Sequence, residues 1–269
     1  MGVHRGPGGR NPLSCGAMDT CRAVVVALLG LVAGCGAGTA EWRGDGAADG
    51  GLDAVEGDGP ETVVFGGTVY RIKSDLSLLG AEVCLLNQAQ PTCDLTDSVG
   101  RFRFIVPAES NQAVSITAPG FAGVVLAFRA GRFDLTTFSV ALQSATDEKT
   151  YYSAAGIEWP SMSNGFLLIF TRDISGSSLE GVTSSLSPAT GSGPIYDDPM
   201  GVADKTLQAT SMNGTVHFGG VGPGTIDVGF GPSKLLCSAF VGGWPSPNTN
   251  AVQVPVVAGF ETLLGVNCF

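Results

Sequence analysis

Short runs of β-forming residues, separated by glycine and proline, are the feature that most constrains the fold of this 269-residue chain. Glycine contributes 40 residues, about twice its usual share of ~7%. Residues 101–106, RFRFIV, alternate as a strand does, so Phe102 and Phe104 share one face. No long segment repeats apolar residues at helical spacing. This pattern is typical of β-sandwiches, and we predict an all-β fold.

A break in the pattern divides the predicted strands into two groups. We therefore predict two tandem antiparallel β-sandwich domains, at residues 61–143 and 165–269, joined by a linker at 144–164. The dipeptide at 258–259 is predicted to form a hairpin turn between the last two strands. The predicted strands are 62–72, 81–86, 101–106, 113–118, 123–128 and 133–142 in the first group, and 165–171, 181–186, 206–211, 215–218, 225–230, 251–257 and 261–266 in the second.

The two groups share an internal similarity. Residues 96–104, TDSVGRFRF, line up with residues 210–218, TSMNGTVHF. Each segment reads as a strand, a tight turn whose glycine supplies a positive φ, and a second strand that ends in phenylalanine. The similarity predicts that the two sandwiches are built on the same plan.

An apolar run near the start of the sequence predicts export. Residues 23–34 contain no charge and follow Arg22 directly. A membrane-spanning helix needs ~20 apolar residues, so this shorter run fits the central part of a signal peptide instead. Met18 is then a possible true start, and residues 1–17 are set aside as a leader. We assign residues 1–34 to the leader and signal peptide.

The end of that run resembles the lipobox of bacterial lipoproteins. Residues 32–35 read Val-Ala-Gly-Cys, an apolar residue and two small ones before the cysteine. The resemblance implies cleavage before Cys35 and acylation of that cysteine. Because Gly36 is not aspartate, it also implies export to the outer membrane. An ordinary secretory signal, cleaved near residues 37–40, stays open as the alternative.

The composition after Cys35 predicts a disordered tether and excludes nucleic-acid partners. Residues 35–60 are rich in Gly, Ala and Asp and bury too little apolar surface to fold. From Cys35 onward the chain has 11 basic and 23 acidic residues, a net charge of −12, once Arg5, Arg10, Arg22 and Asp19 are removed. That sign disfavours binding to nucleic acid and electrostatic attraction to anionic lipid.

Four cysteines remain after the leader and the lipobox. They are Cys84, Cys93, Cys237 and Cys268. We favour the disulfides Cys84–Cys93 and Cys237–Cys268 among the three possible pairings, because each then lies within one predicted domain. A metal site is the alternative, but the sequence has no CxxC and no histidine near either pair. We predict no bound metal and no cofactor.

The first predicted domain resembles the carboxypeptidase regulatory-like domain, a transthyretin-like sandwich. The resemblance is carried by LLGAEV at residues 78–83, TDSVGRFRFIVP at 96–107 and APGF at 118–121. It implies a prealbumin-like or Ig-like module without enzymatic activity, and the zinc-binding histidines of the parent carboxypeptidases are missing. The second domain is similar, although LEGVTSSLSP at residues 179–188 also suits a carbohydrate-binding-like sandwich.

The sequence offers little material for catalysis. His217 is the single histidine after the leader, and strand alternation places it opposite Phe218, so we predict a solvent-facing residue. No GxSxG and no HExxH occurs. The acids Asp197 and Asp198 are predicted to solvate a loop, with calcium binding as the alternative. We predict no catalytic residues.

Four aromatic residues outside the predicted strands suggest a ligand site. Tyr151, Tyr152, Trp159 and Trp244 either stack on sugar rings or cover a sandwich edge and the domain junction. The sequence thus predicts an exported, lipid-anchored envelope protein that binds or organises an envelope protein or polysaccharide. A carbohydrate-binding module and an accessory unit of a surface hydrolase are the alternatives.

Overall fold

The computed structural model describes residues 61–87 and 90–269. The predicted signal peptide, Cys35 and the acidic segment 35–60 lie outside the described residues. The elements of the first half are β1 Thr62–Arg71, β2 Glu82–Leu85, β3 Thr92–Leu95, β4 Arg101–Pro107, β5 Asn111–Thr117, β6 Val124–Arg129, β7 Leu135–Leu142 and α1 Ala145–Ala154. Those of the second half are β8 Gly165–Arg172, β9 Thr183–Ser187, β10 Ser192–Asp197, β11 Ala203–Asp204, β12 Thr215–Val221, β13 Gly224–Gly231, β14 Cys237–Val241, β15 Trp244–Pro245, β16 Ala251–Val256 and β17 Glu261–Cys268.

These strands form two sandwiches, as predicted, and the fold is all-β apart from α1. A central sheet has the order β11-β10-β12-β8-β17-β6-β5-β2-β3, with β14 also paired to β17. The sheet β4-β1-β7 packs on the first half of it, and the sheet β15-β16-β13-β9 packs on the second half. Alternation along β4 buries Phe102, Phe104 and Val106 in the first core.

The predicted internal repeat is present in the strand pairing. In the first half β1 pairs antiparallel with β4 and parallel with β7. In the second half β8 pairs antiparallel with β12 and parallel with β17. Thr96 and Thr210 are equivalent and buried; their hydroxyls donate to the carbonyls of Leu78 and Leu179 at 2.5 and 2.7 Å. The two sandwiches are therefore built on one plan.

The two halves are joined by β17. It runs parallel to β8 along residues 261–267. On its other edge Glu261 and Thr262 pair with Val124 and Val125 of β6. The central sheet thus continues from one sandwich into the other, and the tandem arrangement is not one of separate bodies on a linker.

Residues 144–164, predicted as a linker, contain α1. Ser144 is its N-cap: the Ser144 side chain accepts a hydrogen bond from the Asp147 backbone N–H at 3.1 Å. Asp147 and Glu148 lie in the first turn, where the positive end of the helix dipole stabilises negatively charged side chains. The helix has ten residues, and no helix among the described residues is long and apolar enough to cross a bilayer.

Two local predictions are wrong. The hairpin at 258–259 does not form, because β16 pairs with β13 while β17 enters the central sheet, so the turn passes between sheets. Residues 206–211 form no strand; Thr210 and Ser211 are buried there and use their hydroxyls to bond backbone carbonyls. Strands β3, β10, β11, β14 and β15 were not predicted, since they are short or rich in polar residues.

Both favoured disulfides are present. Cys84 and Cys93 face each other across β2 and β3, with Cα atoms 4.0 Å apart. Cys237 and Cys268 do the same across β14 and β17, with Cα atoms 4.1 Å apart. Glu82 lies close to the first pair, but both sulfurs are used in the disulfide, so this group offers no thiolate to a metal ion.

Two glycines with positive φ in the second half, Gly214 and Gly181, give a prediction about stability. Gly214 has φ +71°, and a Cβ there would lie 2.6 Å from the Thr171 carbonyl oxygen. Gly181 has φ +83° with open space around it. We expect Gly181→Ala to cost about 1–2 kcal/mol for the left-handed backbone alone. Gly214→Ala should cost about 1–3 kcal/mol more than Gly181→Ala, because its Cβ would also displace the Thr171 backbone. Urea unfolding of both variants measures the difference, and equal costs would contradict the close approach.

Candidate functional site

A group of buried polar side chains lies where α1 packs on the central sheet. Their relative exposures range from 0 to 8%, so all are shielded from solvent. Acidic side chains are rarely buried to this degree unless they are paired. We call this group the junction cluster; its members are Glu148, Tyr151 and Tyr152 of α1, Asp197 of β10, His217 of β12 and Glu261 of β17.

Local geometry brings these side chains together. Glu148 and Tyr152 are four residues apart and Tyr151 is three from Glu148, so the three lie on one face of α1. In the sheet, His217 is paired with Ile195, and Asp197 lies two residues further on the same face of β10. The polar side chains of α1 therefore face the polar side chains of β10 and β12.

Hydrogen bonds link the helix to two strands. The Tyr151 hydroxyl donates to Oδ1 of Asp197, and the Tyr152 hydroxyl donates to Oε1 of Glu261. His217 Nε2 lies 3.4 Å from Oδ2 of Asp197. The His217 ring packs under Tyr151, with ring centroids 4.3 Å apart. Nδ1 of His217 has no hydrogen-bond partner among the described residues.

A small cavity borders the cluster. Its volume is about 30 Å³, which is enough to hold water. Gln143, Glu148, Asp197, His217 and Glu261 supply polar walls, and the remaining walls are mainly apolar. The cavity is polar enough and large enough to hold water against these side chains.

Acidic side chains outnumber basic ones in the junction cluster. Three carboxyl groups and one imidazole border the cavity, and no lysine or arginine of the described chain lines it. Burial, followed by the nearby Glu261 and Glu148, raises the pKa of Tyr152 well above its usual value. Tyr152 therefore keeps its proton and remains a hydrogen-bond donor across the physiological range.

The prediction of a solvent-facing His217 is wrong. The residue does point away from Phe218, which lies in the second core. However, α1 covers that face of β12, so only 2% of His217 is exposed. Asp197, predicted in a solvated loop, is likewise 2% exposed and ends β10. The sequence signal that was missed is the helix cap at Ser144.

The four aromatic residues proposed for ligand binding fall in different places. Tyr151 and Tyr152 belong to the junction cluster. Trp159 is half-buried, with its ring 6.3 Å from that of Phe166. Trp244 is 7% exposed, and its Nε1 donates to the carbonyls of Gln112 and Phe128 at 3.0 and 3.2 Å. Both tyrosines and Trp244 thus hold elements together, and none offers a free face for stacking.

The arrangement suits a structural role better than a catalytic one. A general base must reach a substrate proton, directly or through one water. His217 is buried against Tyr151 and Asp197 and borders a cavity of about 30 Å³. The junction cluster consequently fixes α1 against β10, β12 and β17 of the central sheet.

No family model matches the chain, and no curated protein sequence matches it. Among solved structures, 77% of the chain aligns with the TIE protein of Bacillus anthracis, at 13% identity, over 34% of that protein and with a TM-score of 0.28. A streptococcal ancillary pilin aligns over 62% of its length at 12% identity, with a TM-score of 0.25. GBS52, the minor pilin of Streptococcus agalactiae, aligns over 95% of its length at 10% identity, also with a TM-score of 0.25. Similarity this low carries no inference about function.

The junction cluster makes a prediction about alkaline pH. Above pH 10 an unfolded Tyr152 releases its proton while the folded protein retains it, because the folded pKa is raised. Stability is therefore fully present below the unfolded pKa of about 10 and falls as pH rises further. We expect Tyr152→Phe to lower the free energy of unfolding by about 1–3 kcal/mol at pH 7, because the hydrogen bond from its hydroxyl to Glu261 is lost. We expect it to show a shallower fall between pH 10 and 12.

Thermal unfolding at a series of pH values measures both effects. Tyr70→Phe is the matched control, since burial and Asp75 raise the pKa of Tyr70 less than burial and two acids raise that of Tyr152. An alkaline slope unchanged by Tyr152→Phe would show that this hydroxyl is not the group responsible.

Proposed function

We propose that the chain is a non-enzymatic scaffold or binding unit of the bacterial cell envelope, held there by a lipid on Cys35. The observation that carries the scaffold role is the passage of β17 between β8 and β6, which makes one sheet of two sandwiches. Trp244 adds hydrogen bonds from the second half to β5 and β6 of the first. A body joined in this way keeps its two ends at a fixed separation.

Two features support export. Disulfides persist in oxidising compartments such as the periplasm and the cell surface, and both cysteine pairs of the described chain are bonded. The apolar run 23–34, followed by Cys35, fits a lipoprotein signal. The resemblance to a lipoprotein with a carboxypeptidase regulatory-like domain belongs to this proposal, and so does placement at the outer membrane.

Anchoring by a lipid has a simple energetic basis. Each buried methylene contributes ~0.8 kcal/mol, so two or three acyl chains hold a protein firmly where one holds it marginally. The partner that the anchor implies is the membrane itself. An envelope protein or polysaccharide is then within reach of the tethered body.

We expect Cys35→Ala to move the protein from the membrane fraction to the soluble fraction, because the acylated sulfur is lost. Fractionation of cells expressing the full chain, with a high-salt wash, measures the change. Cys21→Ala is the matched control, since Cys21 precedes the proposed cleavage site and its loss leaves retention unaltered. Continued membrane retention of the Cys35→Ala protein would refute the anchor.

A groove near Trp244 favours carbohydrate binding as a second candidate function. It has a volume of about 580 Å³, within the range of small-ligand sites. Phe128 and Phe240 supply apolar surface, and Asn248 and Arg129 supply polar groups at its walls. The half-buried Phe240 replaces Trp244 as the aromatic residue of this groove, and the Arg172 guanidinium lies over one face of its ring, 5.4 Å from the centroid.

We expect Phe240→Ala to lower retention on purified envelope polysaccharide at least fivefold if the groove binds glycan, because the stacking surface is removed. Pull-down of the full chain measures it. Trp159→Ala, which removes a half-buried aromatic outside the groove, serves as the control. Absence of retention for the unaltered protein, or equal loss in both variants, would eliminate this second function.

A further inference from the structure

Strand β4 is an outer strand of the sheet β4-β1-β7, and only one of its two edges is paired within the described chain. The Gly100 carbonyl, just before β4, accepts the Val69 N–H of β1 at 2.8 Å, and the pairing continues without a bulge. Backbone groups of successive residues alternate between the two edges of a strand, so Arg103 and Ile105 direct their N–H and C=O groups away from β1. No described residue hydrogen-bonds to these four groups.

The second sandwich shows what the same edge accepts. The repeat of residues 96–104 in residues 210–218 makes β12 the counterpart of β4. β12 pairs with β8 on one edge, as β4 pairs with β1, and it pairs antiparallel with β10 on the other edge. The plan shared by the two sandwiches therefore accommodates a further strand at this edge. The described part of the first half supplies none.

The segment of the first half that corresponds to β10 is held elsewhere. Strand β3 lies between β2 and β4 in the sequence, as β10 lies between β9 and β12. However, β3 pairs with β2, and the disulfide between Cys84 and Cys93 joins these two strands covalently. This segment is therefore not available to β4. We call the unpaired side of β4 the open edge.

The side chains beside the open edge favour an acidic partner. Arg101 and Arg103 lie on the exposed face of β4, and neither makes an ion pair with a described residue. In the second half, β10 brings Asp197 to His217, the counterpart of Arg103, with Oδ2 and Nε2 3.4 Å apart. Charges on an outer strand deter added strands that do not complement them. A strand with carboxylates at alternate positions complements both arginines.

A groove of about 710 Å³ adjoins the open edge. Leu95 of β3, which is 61% exposed, supplies apolar surface to it, and Arg101 and Arg103 supply positive charge. Asp94 and Asp97 also line the groove, and each accepts a backbone N–H of its own loop, at 2.9 and 2.8 Å. The side chains of an added strand therefore meet both apolar and cationic surface here.

We propose that the open edge binds an extended segment of a partner protein as an added strand, with carboxylates at alternate positions of that segment facing Arg101 and Arg103. Backbone hydrogen bonds to Arg103 and Ile105 supply affinity, and the two arginines supply the preference for an acidic sequence. The inference rests on the proposed binding role and names a partner class for it. It does not require the lipid on Cys35.

A labelled peptide tests the open edge. The probe is fluorescein-labelled Thr-Val-Glu-Val-Glu-Val, and fluorescence anisotropy measures its binding to the full chain. One companion peptide has lysine in place of both glutamates. A second has N-methyl groups on the two glutamate amides, so it keeps its charge but cannot donate hydrogen bonds to β4. Together they separate the contribution of the backbone from that of charge.

Three protein variants complete the design. Arg103→Glu reverses one charge beside the open edge. Ile105→Pro removes an outward N–H, a position at which an outer strand tolerates proline. Lys234→Glu is the matched control, because it makes the same change of charge at an exposed residue outside the groove. Circular dichroism checks that each variant folds, and Arg103→Glu decides the outcome if Ile105→Pro does not fold.

We expect Arg103→Glu, Ile105→Pro and N-methylation each to weaken binding about fivefold or more, and Lys234→Glu to change it less than about twofold. The lysine peptide should bind R103E more tightly than it binds the unaltered protein. Absence of binding by the unaltered protein overturns the proposal, and so does equal binding of the N-methylated peptide, which would show attraction by charge alone.

A second copy of the chain is the other possible occupant of the open edge. Sedimentation of the protein without peptide identifies it: self-association that Ile105→Pro abolishes would overturn binding of a separate partner. The Cys35→Ala protein should bind the peptide as tightly as the unaltered protein. Loss of peptide binding therefore refutes the open edge alone, and membrane fractionation reports on the anchor independently.

Discussion

The parallel pairing of β17 with both β8 and β6 is the constraint on which the rest of the structure depends. Each half has a plan of its own, in which a parallel strand completes a three-stranded set: β7 beside β1, and β17 beside β8. In the second half this strand, β17, also pairs with β6 of the first half. Separating the halves would break backbone hydrogen bonds in the middle of a sheet and expose apolar residues such as Leu168 and Leu263, which pack in the first core.

The junction cluster lies over this seam and explains why α1 is ordered. Its apolar contacts are supplemented by two tyrosine hydroxyls that donate to carboxylates on β10 and β17. Burying acids is costly, and apolar replacements of similar volume are often as stable or more so. We interpret the cluster as a device for specificity: paired polar groups fit one placement of the helix, where a purely apolar face would accept several.

The sequence predicted those features that leave a local periodic signal. The strands of the first half and the repeated turn are of this kind, because alternation and a glycine with positive φ are visible in a few residues. The direction of His217, opposite Phe218, follows from the same alternation. Its burial does not, because it depends on α1, whose cap at Ser144 lies in a polar segment with little apolar periodicity.

Other features depend on contacts between distant residues. The turn at 258–259 has the composition of a hairpin, yet the strands on either side belong to different sheets. Trp244 bonds to carbonyls more than a hundred positions earlier in the chain. The groove beside it exists because the two halves share a sheet. No local pattern encodes such pairings, and an alternation of apolar and polar residues is the same whichever sheet a strand joins.

The position of β17 also has a consequence for biogenesis. It is the most C-terminal of the described strands, but its neighbours β6 and β8 begin at residues 124 and 165. During synthesis β6 and β8 emerge first, and the backbone groups that pair with β17 have no partner until β17 is made. The central sheet is completed only once β17 has been delivered, and the Cys237–Cys268 bond then joins β17 to β14.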